Sequence, residues 1–185
     1  MAHLGPGQIS YIDGWINVDA NFVSSRPDIW ADLRHRLPFP DNSLDAFYSH
    51  HMIEHLPNLE FHFSEMFRCL RPSGNIRVGG PNGDNAIKAF SQGNSEWFGD
   101  WPVKRSSIGG RFENFIFCRG EHLTILTESF LRELAEQAGF VDVTVVTPRK
   151  TGYPQVFDRK VLDTERDENP DFPRTLLIEA RKPSA

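Results

Sequence analysis

Residues Pro38–Leu56 read PFPDNSLDAFYSHHMIEHL, passing from a turn through a strand into the start of a helix. Pro38, Pro40, Asp41, Asn42 and Ser43 gather turn-forming residues, and Leu44, Ala46 and Tyr48 then alternate with Asp45, Phe47 and Ser49. The spacing predicts a buried strand. His50, His51, Glu54 and His55 crowd the positions just beyond it. In a parallel α/β sheet the carboxyl end of a strand is where ligands sit, so chemistry is expected here.

Working outward, Asn58 is placed to cap a helix whose apolar face is Leu59, Phe63, Met66, Phe67 and Leu70, stopped by Arg71-Pro72-Ser73-Gly74. Ile76 and Val78 carry another strand into the turn Gly79–Gly83. Upstream, Met1–Leu4 reads as the tail of a strand that meets Gly5, Pro6 and Gly7 at once, so the sequence begins inside its fold. Ile16 and Val18 form a second strand ending on Asp19. Gln8–Gly14 is too short for a full crossover helix, which predicts a loop or a single helical turn. Asp28–Asp32 (DIWAD) is a third short strand.

Downstream, Thr127 caps a helix with the stripe Phe130, Leu131, Leu134, Ala135 and Ala138, ended by Gly139. Val141, Val143 and Val145 alternate in a strand, and Thr175–Ala180 (TLLIEA) supplies the last one after a charged connection from Arg149 to Arg174. With no helix read between these two strands, they are expected to pair antiparallel. The alternation of strand and helix elsewhere implies a mostly parallel α/β sheet. Residues 91–122 show no sustained period. They are rich in Gly, Ser and aromatic residues, which predicts an insertion or lid.

The 185 residues, 39% hydrophobic, suit one domain spanning 1–185 with a sizeable core. A formal net charge of −5 offers no general attraction to polyanions, which argues against a nucleic-acid partner. No apolar run is long enough to span a membrane, and Met1–Gly14 lacks the pattern of a signal peptide. Cys69 and Cys118 form no CxxC spacing, which fits reduced thiols and a cytoplasmic location. Nothing here speaks to oligomeric state.

The ordered series HLGPGQ, GWINVD, ADL, LPFPDNSLDAFYSHHMIEHL, EMFRCLRPSGNIRV and LTESFLRELAEQAGF resembles the class I S-adenosylmethionine-dependent methyltransferases, in particular the small type 11 group, over most of Leu4–Phe140. The resemblance implies a Rossmann-like sheet, mostly parallel with an antiparallel final strand. It implies S-adenosylmethionine as cofactor and methyl transfer to a hydroxyl or amine of a small molecule or saccharide.

Gly5 and Gly7 would then let the backbone approach the methionine end of the cofactor. Asp19 would accept the ribose hydroxyls, and Asp32 with the backbone of Leu33 would lie beside the adenine. Ser49 and His50 complete the implied cofactor contacts. His51, in the SHxxEH pattern, is the implied base, with His122 as a second candidate. Each residue also has a plainer reading: a Gly-Pro turn, a loop cap at Asp19, a turn cap at Asp32, and a His51–Glu54 hydrogen bond that fixes the strand exit. Trp97, Phe98, Trp101, Phe112, Phe115 and Phe117 would wall the acceptor.

Two rival readings stand beside this one. His51, Glu54 and His55 match H-x-x-E-H, the inverted zinc-peptidase motif, which needs both histidines on one helix face. A strand exit at His51 would spoil that geometry, so no metal is expected. The other rival is a non-catalytic domain that keeps the fold for cofactor sensing or protein association.

Overall fold

The computed structural model describes residues 1–21, 23, 25–166 and 169–184. Seven strands form one sheet: β1 (Ala2–Leu4), β2 (Ile16–Asp19), β3 (Ile29–Trp30), β4 (Leu44–His50), β5 (Leu70–Pro81), β6 (Val141–Val146) and β7 (Thr175–Arg181), in the order 3-2-1-4-5-7-6. β1 to β5 pair parallel with one another. β7 runs antiparallel between β5 and β6. The expected antiparallel pairing of the last two strands is therefore present, and β7 also closes on β5. Among the described residues their connection holds one short helix, α5 (Arg159–Leu162), which is too little for a parallel crossover.

β4 is buried along nearly its whole length because both faces of the sheet are covered. Phe47 belongs to the larger core, with Phe63 and Met66 of α1 (Leu59–Cys69) and Leu131 and Leu134 of α4 (Glu128–Ala138). Its neighbours Ala46 and Tyr48 point the other way, into a smaller cluster with Ile12, Trp15, Phe157 and Val161. Both long helices start where the caps were read: Asn58 accepts from the Phe61 amide at 2.9 Å, and Thr127 accepts from the Phe130 amide at 3.3 Å. Gly139 ends α4 at φ +101°.

Residues 91–122 are more regular than the sequence suggested. After α2 (Gly83–Ser91), a 3-10 turn (Ser95–Phe98) and α3 (Ile108–Phe117) fold around a third cluster of Ala86, Ala89, Trp97, Phe98 and Ile116. Phe112, Phe115 and Phe172 pack against it. The aromatics thus bury one another in a cap at the carboxyl end of the sheet.

Candidate active site

The strand exit is built by backbone geometry. His51 donates its amide to Gly79 O at 2.9 Å, extending the β4–β5 ladder by one bond, and then turns the chain at φ +56°. A 3-10 turn, Ile53–His55, follows. His51 and His55 therefore do not share a helix face, so the zinc-peptidase geometry is not built. Met52 turns inward against Gly5, where an added Cβ would stand 2.3 Å from Met52 Cγ. Gly5 at φ +71° is thus required twice, by conformation and by space.

The glycine turn is tied to the end of β2. Asp19 Oδ2 accepts the Gly7 amide at 3.0 Å, and Oδ1 accepts the Asn21 amide at 2.8 Å. Each carboxylate oxygen keeps a further lone pair. Ser49 is fully buried, and neither its Oγ nor His50 Nε2 has a hydrogen-bond partner among the described residues. Burial, with smaller contributions from His51 and Arg77, pushes the His50 imidazole down to about 2, so it stays neutral. Asp32 is held at about 2 chiefly by Arg34, whose Nε and Nη2 meet the carboxylate at 2.9 and 2.6 Å. Leu33 is buried in the main core.

A cavity of about 840 Å³ opens between the glycine turn, the β4 exit and the aromatic cap. Of the residues singled out in the sequence, Gly5, Gly7, His50, His51 and His122 line it, whereas Asp19, Asp32, Leu33 and Ser49 lie outside its lining. Trp97, Phe98, Trp101 and Phe115 wall the far side. Sequence reasoning missed Thr175, at the start of β7, whose Oγ1 lies 3.2 Å from His51 Nε2. Its partner is 124 residues away, and no local pattern could signal the pairing.

Glu54 is the centre of the polar wall. At 1% exposure it accepts from His51 Nδ1 at 3.3 Å, and the Nε2 atoms of His55 and His122 stand 4.0 Å from the same carboxylate oxygen. The backbone fixes this grouping, because Leu123 donates its amide to Glu54 O at 2.8 Å. Burial, partly offset by the nearby Glu54, holds the His122 imidazole below its ordinary value.

Residues 13–78 match the model of the type 11 methyltransferase-domain family. The sheet, mostly parallel with antiparallel C-terminal strands, matches the fold of solved S-adenosylmethionine-dependent methyltransferases. The chain has the class I methyltransferase fold. Among its relatives in sequence, a sterol 24-C-methyltransferase of Gibberella zeae is 49% identical over 39 residues, 21% of this chain and 10% of that protein. Phosphoethanolamine N-methyltransferase 2 of Caenorhabditis elegans is 27% identical over 113 residues, 60% of this chain and 21% of that protein. The matches thus span about a fifth or less of those relatives' length. The phosphoethanolamine N-methyltransferase 2 of Haemonchus contortus, solved with S-adenosyl-L-methionine, aligns with all of this chain and 48% of its own at a TM-score of 0.60 and 16% identity.

The cofactor of this fold is S-adenosylmethionine, and the residues present fit it. The glycine turn offers close backbone approach, Asp19 at the end of β2 keeps further lone pairs, and buried Ser49 Oγ and His50 Nε2 have no partner among the described residues.

Proposed function

We propose that the protein transfers the methyl group of S-adenosylmethionine to an oxygen or nitrogen of a small-molecule or saccharide acceptor. One observation carries the reading: a single cavity joins the glycine turn to a polar wall of His51, Glu54 and His122 under an aromatic cap. In this reading Gly5, Gly7, Ser49 and His50 hold the methionine end, Asp19 the ribose, and Asp32 with Leu33 the adenine. The bound cofactor supplies an electrophilic methyl on sulfur, so the protein's work is alignment, exclusion of water and removal of a proton.

His51 is suited to positioning, since its Nδ1 donates to Glu54 and its Nε2 faces the Thr175 hydroxyl. His122 is the better proton acceptor. Its Nδ1 is occupied by Ile116 O at 3.0 Å, which leaves the Nε2 lone pair for the acceptor. Aromatic walls beside polar and charged groups suit a small-molecule or sugar-like acceptor that can both stack and hydrogen-bond.

Calorimetry with S-adenosylhomocysteine tests the cofactor half. Asp19→Ala is expected to weaken binding by about 2 to 4 kcal/mol, the worth of hydrogen bonds to a charged group, while Asp19→Asn loses less because it keeps one acceptor oxygen. Equal affinity in all three proteins would remove Asp19 from the site. Methyl transfer from labelled cofactor across a panel of hydroxyl and amine acceptors tests the other half.

A further inference from the structure

We propose that Glu54, His55 and His122 bind a divalent first-row transition cation that holds a hydroxyl of the methyl acceptor. The three potential ligand atoms lie within 4.8 Å of one another, and Glu54 Oε1 is 4.0 Å from each Nε2. The tautomers follow from the partners on the far side of each ring. His55 Nδ1 lies 2.9 Å from Glu121 O, and His122 Nδ1 lies 3.0 Å from Ile116 O. A carbonyl oxygen can only accept, so each Nδ1 carries a proton and each ring turns its Nε2 toward Glu54. Anchoring the second ring nitrogen on a backbone carbonyl is how metal-binding histidines are oriented.

A second, independent observation points to a ligand. Glu54 is 1% exposed and carries an Oε2 with no partner among the described residues. Room for that oxygen is kept by Gly80, where an added Cβ would stand 2.6 Å from it. A buried carboxylate with one oxygen unpartnered among the described residues, and two imidazole Nε2 atoms 4.0 Å from the other, is a ready-made ligand set for a cation.

The geometry is close to what coordination needs. Bonds of about 2.1 Å in a tetrahedral site set ligand atoms about 3.4 Å apart, so the 4.0 Å Glu54–histidine pairs close by about 0.6 Å and no pair in the set by more than about 1.4 Å. Two imidazoles and one carboxylate suit zinc, manganese, iron or cobalt better than magnesium or calcium. Three protein ligands leave a coordination position open, on the side where His55 and His122 line the cavity.

What the cation does there rests on the methyl-transfer reading. It eases loss of the acceptor's proton to solvent. The oxygen lone pair then forms the new O–C bond as the S–C bond breaks, with that electron pair staying on sulfur. His122 is then a ligand and needs no role as base, and the acceptor is a hydroxyl in preference to an amine.

The test uses full-length protein stripped with chelator and titrated calorimetrically with zinc chloride, and with cobalt chloride followed by visible absorption. One site per chain is expected, weakened at least tenfold in His55→Ala and in His122→Ala, with the cobalt d–d bands lost in both. His35, an exposed histidine beside Asp32 and outside the cavity lining, is the control, and His35→Ala should bind the cation as wild type does. Circular dichroism melts identify a variant that is misfolded, and the wild-type titration decides the matter even if one is. Absence of saturable binding to the wild type, or binding by both ligand variants as tight as the wild type's, overturns the site. Binding of S-adenosylhomocysteine is measured separately. Cation binding without cofactor binding keeps the site and rejects methyl transfer, whereas the reverse rejects the site and leaves His122 as the base.

Discussion

Arg77 in β5 is fully buried, and its guanidinium is divided between Glu165 at 2.7 Å and Glu179 at 2.6 Å, with Lys150 O completing the set. Glu165 and Glu179 in turn accept the Arg149 and Gly152 amides, so this one side chain organises the connection that covers the second face of the sheet. Removing it leaves two buried carboxylates uncompensated. Arg77→Leu is therefore expected to cost about 3 to 5 kcal/mol in urea denaturation, and adding Glu165→Gln and Glu179→Gln should recover part of the loss. A milder effect would mean that water reaches the triad. His3 acts in the opposite sense. It is 1% exposed against Asn17, and burial pushes its imidazole down to about 4. With an unfolded value near 6.5, the unfolded chain binds the proton first as pH falls, so this contribution is complete above about pH 6.5 and lost toward pH 4. Between pH 7.5 and pH 5 the wild type should lose about 2 kcal/mol more stability than His3→Asn, measured by urea melts at each pH.

At the scale of elements, legibility followed the strength of the local signal. α1 and α4 were readable because cap, apolar stripe and stop agree within one window, as Asn58 and Arg71-Pro72-Ser73-Gly74 show for α1. β4 was readable from its alternation. Its burial on both faces depended on Phe157 and Val161, more than 100 positions away, and no local pattern carries that. α3 was hidden although Ile108, Phe112, Phe115 and Ile116 do have helical spacing and Ser107 caps it, accepting from Gly110 at 3.1 Å. Gly109 and Gly110 in its first turn read as a break, and aromatic packing outweighs their low propensity. In the candidate site, the SHxxEH cluster was visible because its members are neighbours in sequence. The approach of His122 and Thr175 to it is tertiary. The cavity takes in Gly5 and Gly7 but not Asp19 or Asp32, a division no local pattern carries.

For the whole molecule, the cap has an apolar core of its own, distinct from the two that sandwich the sheet. Trp97 stands at its centre, with Phe115 and Phe98 at centroid distances of 5.0 and 5.1 Å, and its Nε1 donates to Phe172 O at 3.0 Å. A unit with a separate core can open without unfolding the sheet, at a free energy below the global one. Trp101, on the cavity rim, is 78% exposed, and apolar area of that size has burial to gain when an acceptor fills the space beside it. Residues 91–122 are therefore expected to act as a lid, exchanging amide protons faster than Asp45–Ser49 in the free protein and slowing when cofactor product and acceptor are both bound. Closure would also keep water from a sulfonium that must meet one chosen nucleophile. Hydrogen exchange read by mass spectrometry, with and without ligands, measures this directly. Slowing confined to 91–122, with the strand unchanged, is the signature of closure. If that segment is already as protected as Asp45–Ser49 before any ligand is added, the cap is a fixed wall, and acceptor entry must run past the glycine turn, where Ile9 is exposed.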